Sequence, residues 1–150
     1  MNWLNNIFGN TKLHIKLSTF LDQYGISGLE QAIQLYENMN LEYIWKTRES
    51  IYKIKIYDIY YLEIKGHTIT VHTRHNTYRK YGSLKQESKF LAPYGFIKCN
   101  QSCIVSIDKI IAVCNNTIIL NNDQQLHVSQ GHIAKVLIAC SHNAKHIRLK

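Results

Sequence analysis

Apolar positions change their period once along this chain. Leu17, Phe20, Leu21 and Tyr24 recur three and four residues apart, which predicts a helix. Gly25-Ile26-Ser27-Gly28 interrupts it. Ser27 is placed to cap a second helix over LEQAIQLYENM, with Glu30 at the capping-box position and Leu29, Ile33 and Tyr36 on one face. A segment of about 45 residues rarely builds its own core, so this part is expected to pack on the rest.

From residue 41 the period drops to two. LEYIWKT, SIYKIKI and IYYLEIK are short runs rich in β-branched and aromatic residues, as strands require. HTITVHT alternates strictly, with Thr68, Thr70 and His72 on one face and Ile69, Val71 and Thr73 on the other. His75-Asn76 marks a turn into TYRKYG. SLKQESKFL reads as a helix: Ser83 as N-cap, Gln86 at the capping-box position, Leu84, Phe90 and Leu91 inward. Pro93 and Gly95 end it. FIKCN, CIVSI, KIIAV, TIILNN and QLHVS are further short strands, with hairpin turns at Asn115-Asn116 and Asn121-Asn122-Asp123. Ser129 caps a last helix, QGHIAKVLIAC, and the basic tail KHIRLK is expected to be mobile. The expected chain is mainly β over 46–150, with few helices, preceded by a short helical extension over 1–45.

Charge sharpens this division. Residues 1–45 hold two lysines against four acidic residues, net −2, whereas residues 46–150 hold sixteen basic against six acidic residues, net +10. A basic segment joined to a slightly acidic one points to a polyanionic partner for the second part. There is no run of eighteen apolar residues, so no membrane span is expected. The N-terminus MNWLNNIFGNTK lacks a basic n-region and a continuous apolar stretch, so no signal peptide is expected and the protein is read as cytoplasmic. In that compartment Cys99, Cys103, Cys114 and Cys140 are read as reduced thiols.

Candidate chemistry is sparse. Cys99 and Cys103 flank a polar triplet in KCNQSCIVSIDKI. Four apart on a strand they lie roughly 13 Å from each other, too far for a shared tetrahedral zinc unless the triplet folds as a knuckle. Buried thiols are the better reading, and no metal or cofactor is expected. His67, His72 and His75 come from one hairpin without a carboxylate partner pattern, and no nucleophile elbow, phosphate loop or HExxH occurs. An enzyme is not expected. What remains is a set of polar loops between strands: Lys65-Gly66-His67, Asn100-Gln101-Ser102 and Ser129-Gln130-Gly131-His132. Gln, Asn and His can read base edges, while Lys, Ser and helix N-termini hold phosphates.

These landmarks, taken in order, resemble the LytTR family of bacterial DNA-binding domains over residues of about 48–140. YKIKIYDIYYLEIKGHTITVHT resembles the family's strand and loop-histidine run. YRKYGSLKQESKFL resembles its helix after an aromatic-Gly-Ser-Leu. FIKCNQSCIVSIDKI resembles its Phe-x-basic…Ser-x-Ile/Val-Val signature, and LHVS its closing segment. The resemblance implies an elongated arrangement of short strands in small stacked sheets. It implies a transcription regulator that inserts loops into successive grooves of double-stranded DNA, commonly at repeated half-sites. His67 matches the histidine that enters a major groove, and Gln101 a position that reaches the intervening minor groove. Ser102, Ser83 and Lys85 match phosphate-contacting positions, and Ser129 opens the last DNA-facing loop. Lys65, Lys98 and Asn100 complete the expected DNA-facing edge. The family often carries Arg or Lys after this serine; here Gln130 and His132 stand as the substitutes, which implies a changed base preference or weaker specificity. Ser106 replaces a family asparagine, and Asn100 a histidine. A receiver domain does not fit within residues 1–45. That segment is left to homodimerise or to bind another regulator. The alternative function is a protein-interaction module whose DNA loops have drifted.

Overall fold

A computed structural model describes residues 9–143; residues 1–8 and 144–150, with the tail KHIRLK, lie outside the described residues. The chain falls into two units, residues 1–41 and 42–150. In the first, helix α1 runs Thr11–Met39. The Asn10 side chain caps its start, Oδ1 accepting from the Leu13 N–H at 3.0 Å. The predicted interruption takes the form of a kink at Gly25 (φ 70, ψ −172), a conformation that an L side chain resists. No residue of α1 is buried.

The second unit holds three small antiparallel sheets. β1 (Glu42–Lys46) pairs with β2 (Ile51–Lys55). Five strands form the central sheet: β3 (Ile59–Lys65), β4 (Thr68–Thr73), β5 (Thr77–Tyr81), β6 (Phe96–Asn100) and β7 (Cys103–Ser106). Their order across the sheet is β5-β4-β3-β7-β6. The third sheet holds β8 (Ile110–Cys114), β9 (Thr117–Leu120) and β10 (Gln125–His127), in the order β10-β9-β8. Asn115 and Asn116 take φ values of 50 and 57, the left-handed pair that a two-residue hairpin turn needs. Helix α2 (Leu84–Leu91) follows β5, and α3 (Gln130–Asn143) follows β10.

The middle of the central sheet, β7 and the first half of β3, is dry on both faces. In β3 and β7 the register pairs Tyr61 with Val105 and Leu62 with Ile104. Because side chains alternate, Leu62 and Ile104 share one face with Ile69 and Val71, all of them fully buried. Tyr61, Val105, Cys99 and Cys103 share the other, packed with Ile118 and Leu120 of β9, Val128, and Val136 of α3. Helix α2 lies against β3, β6 and β7.

Three expectations change. The three helices run 29, 8 and 14 residues, so helix occupies as much of the described chain as strand, and the whole is mixed rather than mainly β. In α2 the inward stripe is Leu84, Glu87 and Leu91; Phe90 is 49% exposed and stacks beside Tyr43 with ring centroids 5.2 Å apart. The i, i+3, i+7 spacing leaves Phe90 off that stripe. Ser83 stands at the N-cap, but its hydroxyl makes no capping bond.

Glu87 is tolerated inside because Lys80 Nζ reaches its Oε1 at 2.7 Å. Lys80 also lies over the Trp45 ring, 4.1 Å from its centroid. One ion pair thus joins β1, β5 and α2. Burial pushes the Glu87 carboxyl up and the Lys80 ammonium down, so each depends on the other for its charge. Glu87→Gln is expected to cost about 1–2 kcal/mol of unfolding free energy, since it leaves a half-buried ammonium without its counter-charge. Urea denaturation reads this, and Lys80→Met in the same background should restore part of it.

Candidate nucleic-acid interface

The polar loops singled out in the sequence come from strand ends, and antiparallel pairing decides which end. β3 finishes at Lys65, and Gly66-His67 turn the chain into β4; Gly66 takes φ 61. β7 begins at Cys103, opposite Glu63 of β3. The β6–β7 turn, Gln101-Ser102, therefore lies beside the β3–β4 turn. The Ile64 N–H donates to the Ser102 carbonyl at 2.9 Å. On the other side of His67, its carbonyl accepts from the Gly82 N–H at 3.2 Å, which brings Ser83 alongside. Beyond β6, the Ser129 N–H donates to the Cys99 carbonyl at 3.1 Å, and Asn100 Nδ2 donates to the His127 carbonyl at 2.8 Å. Ser83, His67, Gln101-Ser102 and Ser129 thus form one row along a single end of the sheet.

The row is held from within. Asn100 Oδ1 accepts from Ser102 N at 2.8 Å and from Ser102 Oγ at 3.1 Å. With Nδ2 on His127, the amide of Asn100 is spent on both sides, so it positions the turn instead of standing free on the edge. Gln101, Lys65, His67, Ser83 and Lys85 are exposed, while Lys98 is half-buried within β6. Ser129 accepts from the N–H groups of His132 and Ile133 through its carbonyl and so starts α3. Its hydroxyl is hydrogen-bonded to His132 Nδ1 at 2.6 Å, which orients that ring, and Gln130 beside it is exposed.

Other candidates dissolve on inspection. Asn100-Gln101-Ser102 is a turn, so Cys99 and Cys103 do not lie 13 Å apart on one strand. They face each other across a hairpin, with Cys99 Sγ 3.8 Å from the Cys103 carbonyl oxygen. Both are free and buried, as expected of core thiols. The hydrogen bond to Cys99, with burial, pushes the Cys103 thiol up, so it stays protonated at neutral pH. Among the described residues no cluster of three metal-ligating side chains occurs. The three histidines of the β3–β5 region do not converge. His67 and His75 lie at opposite ends of β4, roughly 20 Å apart along six residues. His72 is held mid-strand, its Nε2 3.0 Å from Glu63 Oε1 and its ring stacked on Tyr61 at 4.1 Å.

Residues 49–139 match the model of the LytTr DNA-binding domain family. The chain belongs to the LytTR family. Among solved structures it is similar to the LytTr DNA-binding domain of a Bacillus cereus protein described as a methyl-accepting/DNA response regulator. Identity is 28% and the TM-score 0.54, over 64% of this chain and 95% of that one. No curated protein matches the sequence. Membership of this non-enzymatic family establishes DNA binding as the activity of the domain. No helix among the described residues is long and apolar enough to cross a membrane.

In this LytTR domain the row of turns lies wholly inside the matched residues. One group of side chains escaped the sequence reading. Lys46, Arg48 and Arg79 line a groove beside the β5 end of the row. Their only sequence signal is basic character in β1, the turn after it and β5, which the fold sets side by side.

Asn100 carries the local order of the β6–β7 turn. Asn100→Ala is expected to cost about 0.5–1.5 kcal/mol, because the turn loses its bonds to Ser102 and His127 while water can satisfy the exposed partners. Thermal unfolding reads the loss, and amide exchange should accelerate at Ser102 well before it does in β3.

Proposed function

We propose that this LytTR domain is a sequence-specific transcription regulator that lays its row of turns along successive grooves of duplex DNA. The observation that carries the reading is the row itself. Four inter-strand steps at about 4.8 Å separate the ends of β5 and β6, roughly 19 Å in all. That is about half of the roughly 34 Å turn of B-DNA, so a row carried further past β6 by Ser129 crosses from one groove into the next. Short turns on a rigid sheet can enter grooves without a recognition helix.

His67, on a glycine turn and exposed, enters a major groove. Gln101 reaches the intervening minor groove. Ser102, Ser83, Lys85, Lys65 and Lys98 take the phosphates, and the uncapped hydroxyl of Ser83 is free for that role. Gln130 and His132 face the second major groove in place of the usual basic reader. Asn100 sets the turn. An Arg-to-guanine contact is worth about 1–3 kcal/mol of discrimination, so this half of the site prefers a different base or reads more loosely. A cytoplasmic homodimer on repeated half-sites suits this mode of reading, with residues 1–45 as the segment that meets a second copy or another regulator.

The test is selection of duplexes from a random library by purified protein at physiological salt, repeated with His67→Ala. The expected result is an enriched motif of two short blocks about one helical turn apart, blurred at one block by the substitution. Gln101→Ala should alter preference between the blocks, whereas Lys85→Ala should weaken all duplexes alike and flatten the salt dependence by about one unit of slope. Weak binding without enrichment would instead favour a protein-interaction module.

A further inference from the structure

The row does not stop at β5. Tyr81, the last residue of β5, pairs with Thr68 next to His67. Beyond it stands the β1–β2 hairpin, whose turn at Thr47–Ser50 is closed by the Thr47 N–H donating to the Ser50 carbonyl at 2.8 Å. Between the two lies a groove of about 580 Å³. Lys46, Arg48 and Arg79 line it, with Tyr81, which is 83% exposed; Glu49 is the carboxylate on its wall. Lys80 also borders it but is already bound to Glu87. The hairpin is not loosely placed. Trp45 is fully buried against the Lys80 chain, and Tyr52 packs on Tyr78 with centroids 4.8 Å apart.

We propose that this groove binds backbone phosphates of the duplex, outside the segment the turns read. The proposal rests on the DNA-binding reading above. Three cations free of ion pairs among the described residues converge on a concave wall with an exposed phenol. That combination suits phosphate oxygens: guanidinium forks pair with them two bonds at a time, and a tyrosine hydroxyl adds a donor. Continuity with His67 and Ser83 makes the duplex, rather than a free anion, the source of the phosphate. The β1–β2 turn adds its contacts on the flank next to β5, while the opposite flank, past Ser129, gains nothing from it. Lys46 and Arg48 precede the residues matched by the family model, so family membership assigns them no role. Arg48 and Arg79 are both exposed, so their removal leaves the core intact.

The experiment compares two duplexes carrying the same selected motif, one ending at its boundary and one extended by about one helical turn, roughly 10 base pairs. Wild-type protein should bind the extended duplex more tightly, by on the order of tenfold at low salt, with a steeper salt slope. The Arg48→Ala/Arg79→Ala variant should lose that advantage, drop about two units of slope, and bind the short duplex as the wild type does. Glu49→Gln should enlarge the advantage. Equal binding of both duplexes by wild type, or an advantage that survives the double substitution, would overturn the groove assignment while leaving the groove-reading turns in place. Failure of wild type to bind both duplexes would overturn the groove assignment and the DNA-reading turns together. Saturable binding of inorganic phosphate that the variant lacks, without any length effect on duplexes, would assign the groove to a soluble anion and overturn it as a DNA contact.

Discussion

The pairing of β3 with β7 is the constraint on which the rest of the second unit depends. Glu63 opposite Cys103 sets the end of one hairpin beside the end of another. A slip of one residue would exchange Tyr61 and Leu62 between two differently packed buried faces of β3, so the register is strongly specified. That burial is what holds this end of the sheet rigid. The turns carrying His67 and Gln101 cannot shift relative to each other without breaking the core that Leu62, Ile104 and Val105 share.

Polar groups inside this framework serve position rather than recognition. Asn100 links its own turn to β10, the His72–Glu63 pair sits mid-strand, and Lys80–Glu87 ties the β1–β2 hairpin to α2. Lys109, 3% exposed, lies 3.9 Å over the Tyr57 ring and so buries a cation against aromatic faces. Burial, reinforced by Arg74, pushes its ammonium down. These partly buried charges specify which elements meet. The exposed residues they leave at one end of the sheet are free to meet a polyanion.

Gln130 opens α3, with Gly131 and His132 in its first turn. The Ser129–His132 hydrogen bond links the capping residue to one of those side chains, so a substitution at Ser129 would alter the geometry of the loop and the orientation of the His132 ring together.

Much of this was legible in the chain. Alternation in HTITVHT, paired asparagines in a positive-φ turn, and glycine at the ends of elements are local properties, and short strands follow from them directly. Membership of the family was legible because its landmarks keep their order. Three things were not. Whether Cys99 and Cys103 lie along a strand or across a hairpin depends on how Asn100 folds the triplet, through a bond to His127, which stands 27 residues on. That Glu87 points inward while Phe90 lies aside depends on a lysine from β5. That Lys46 and Arg48 meet Arg79 depends on a hairpin packing beside an edge strand. Local pattern sets which residues form strands and turns, because backbone geometry and side-chain alternation act over a few residues. Which polar groups become partners, and which remain exposed, was decided by strand order and register, which join residues far apart in sequence.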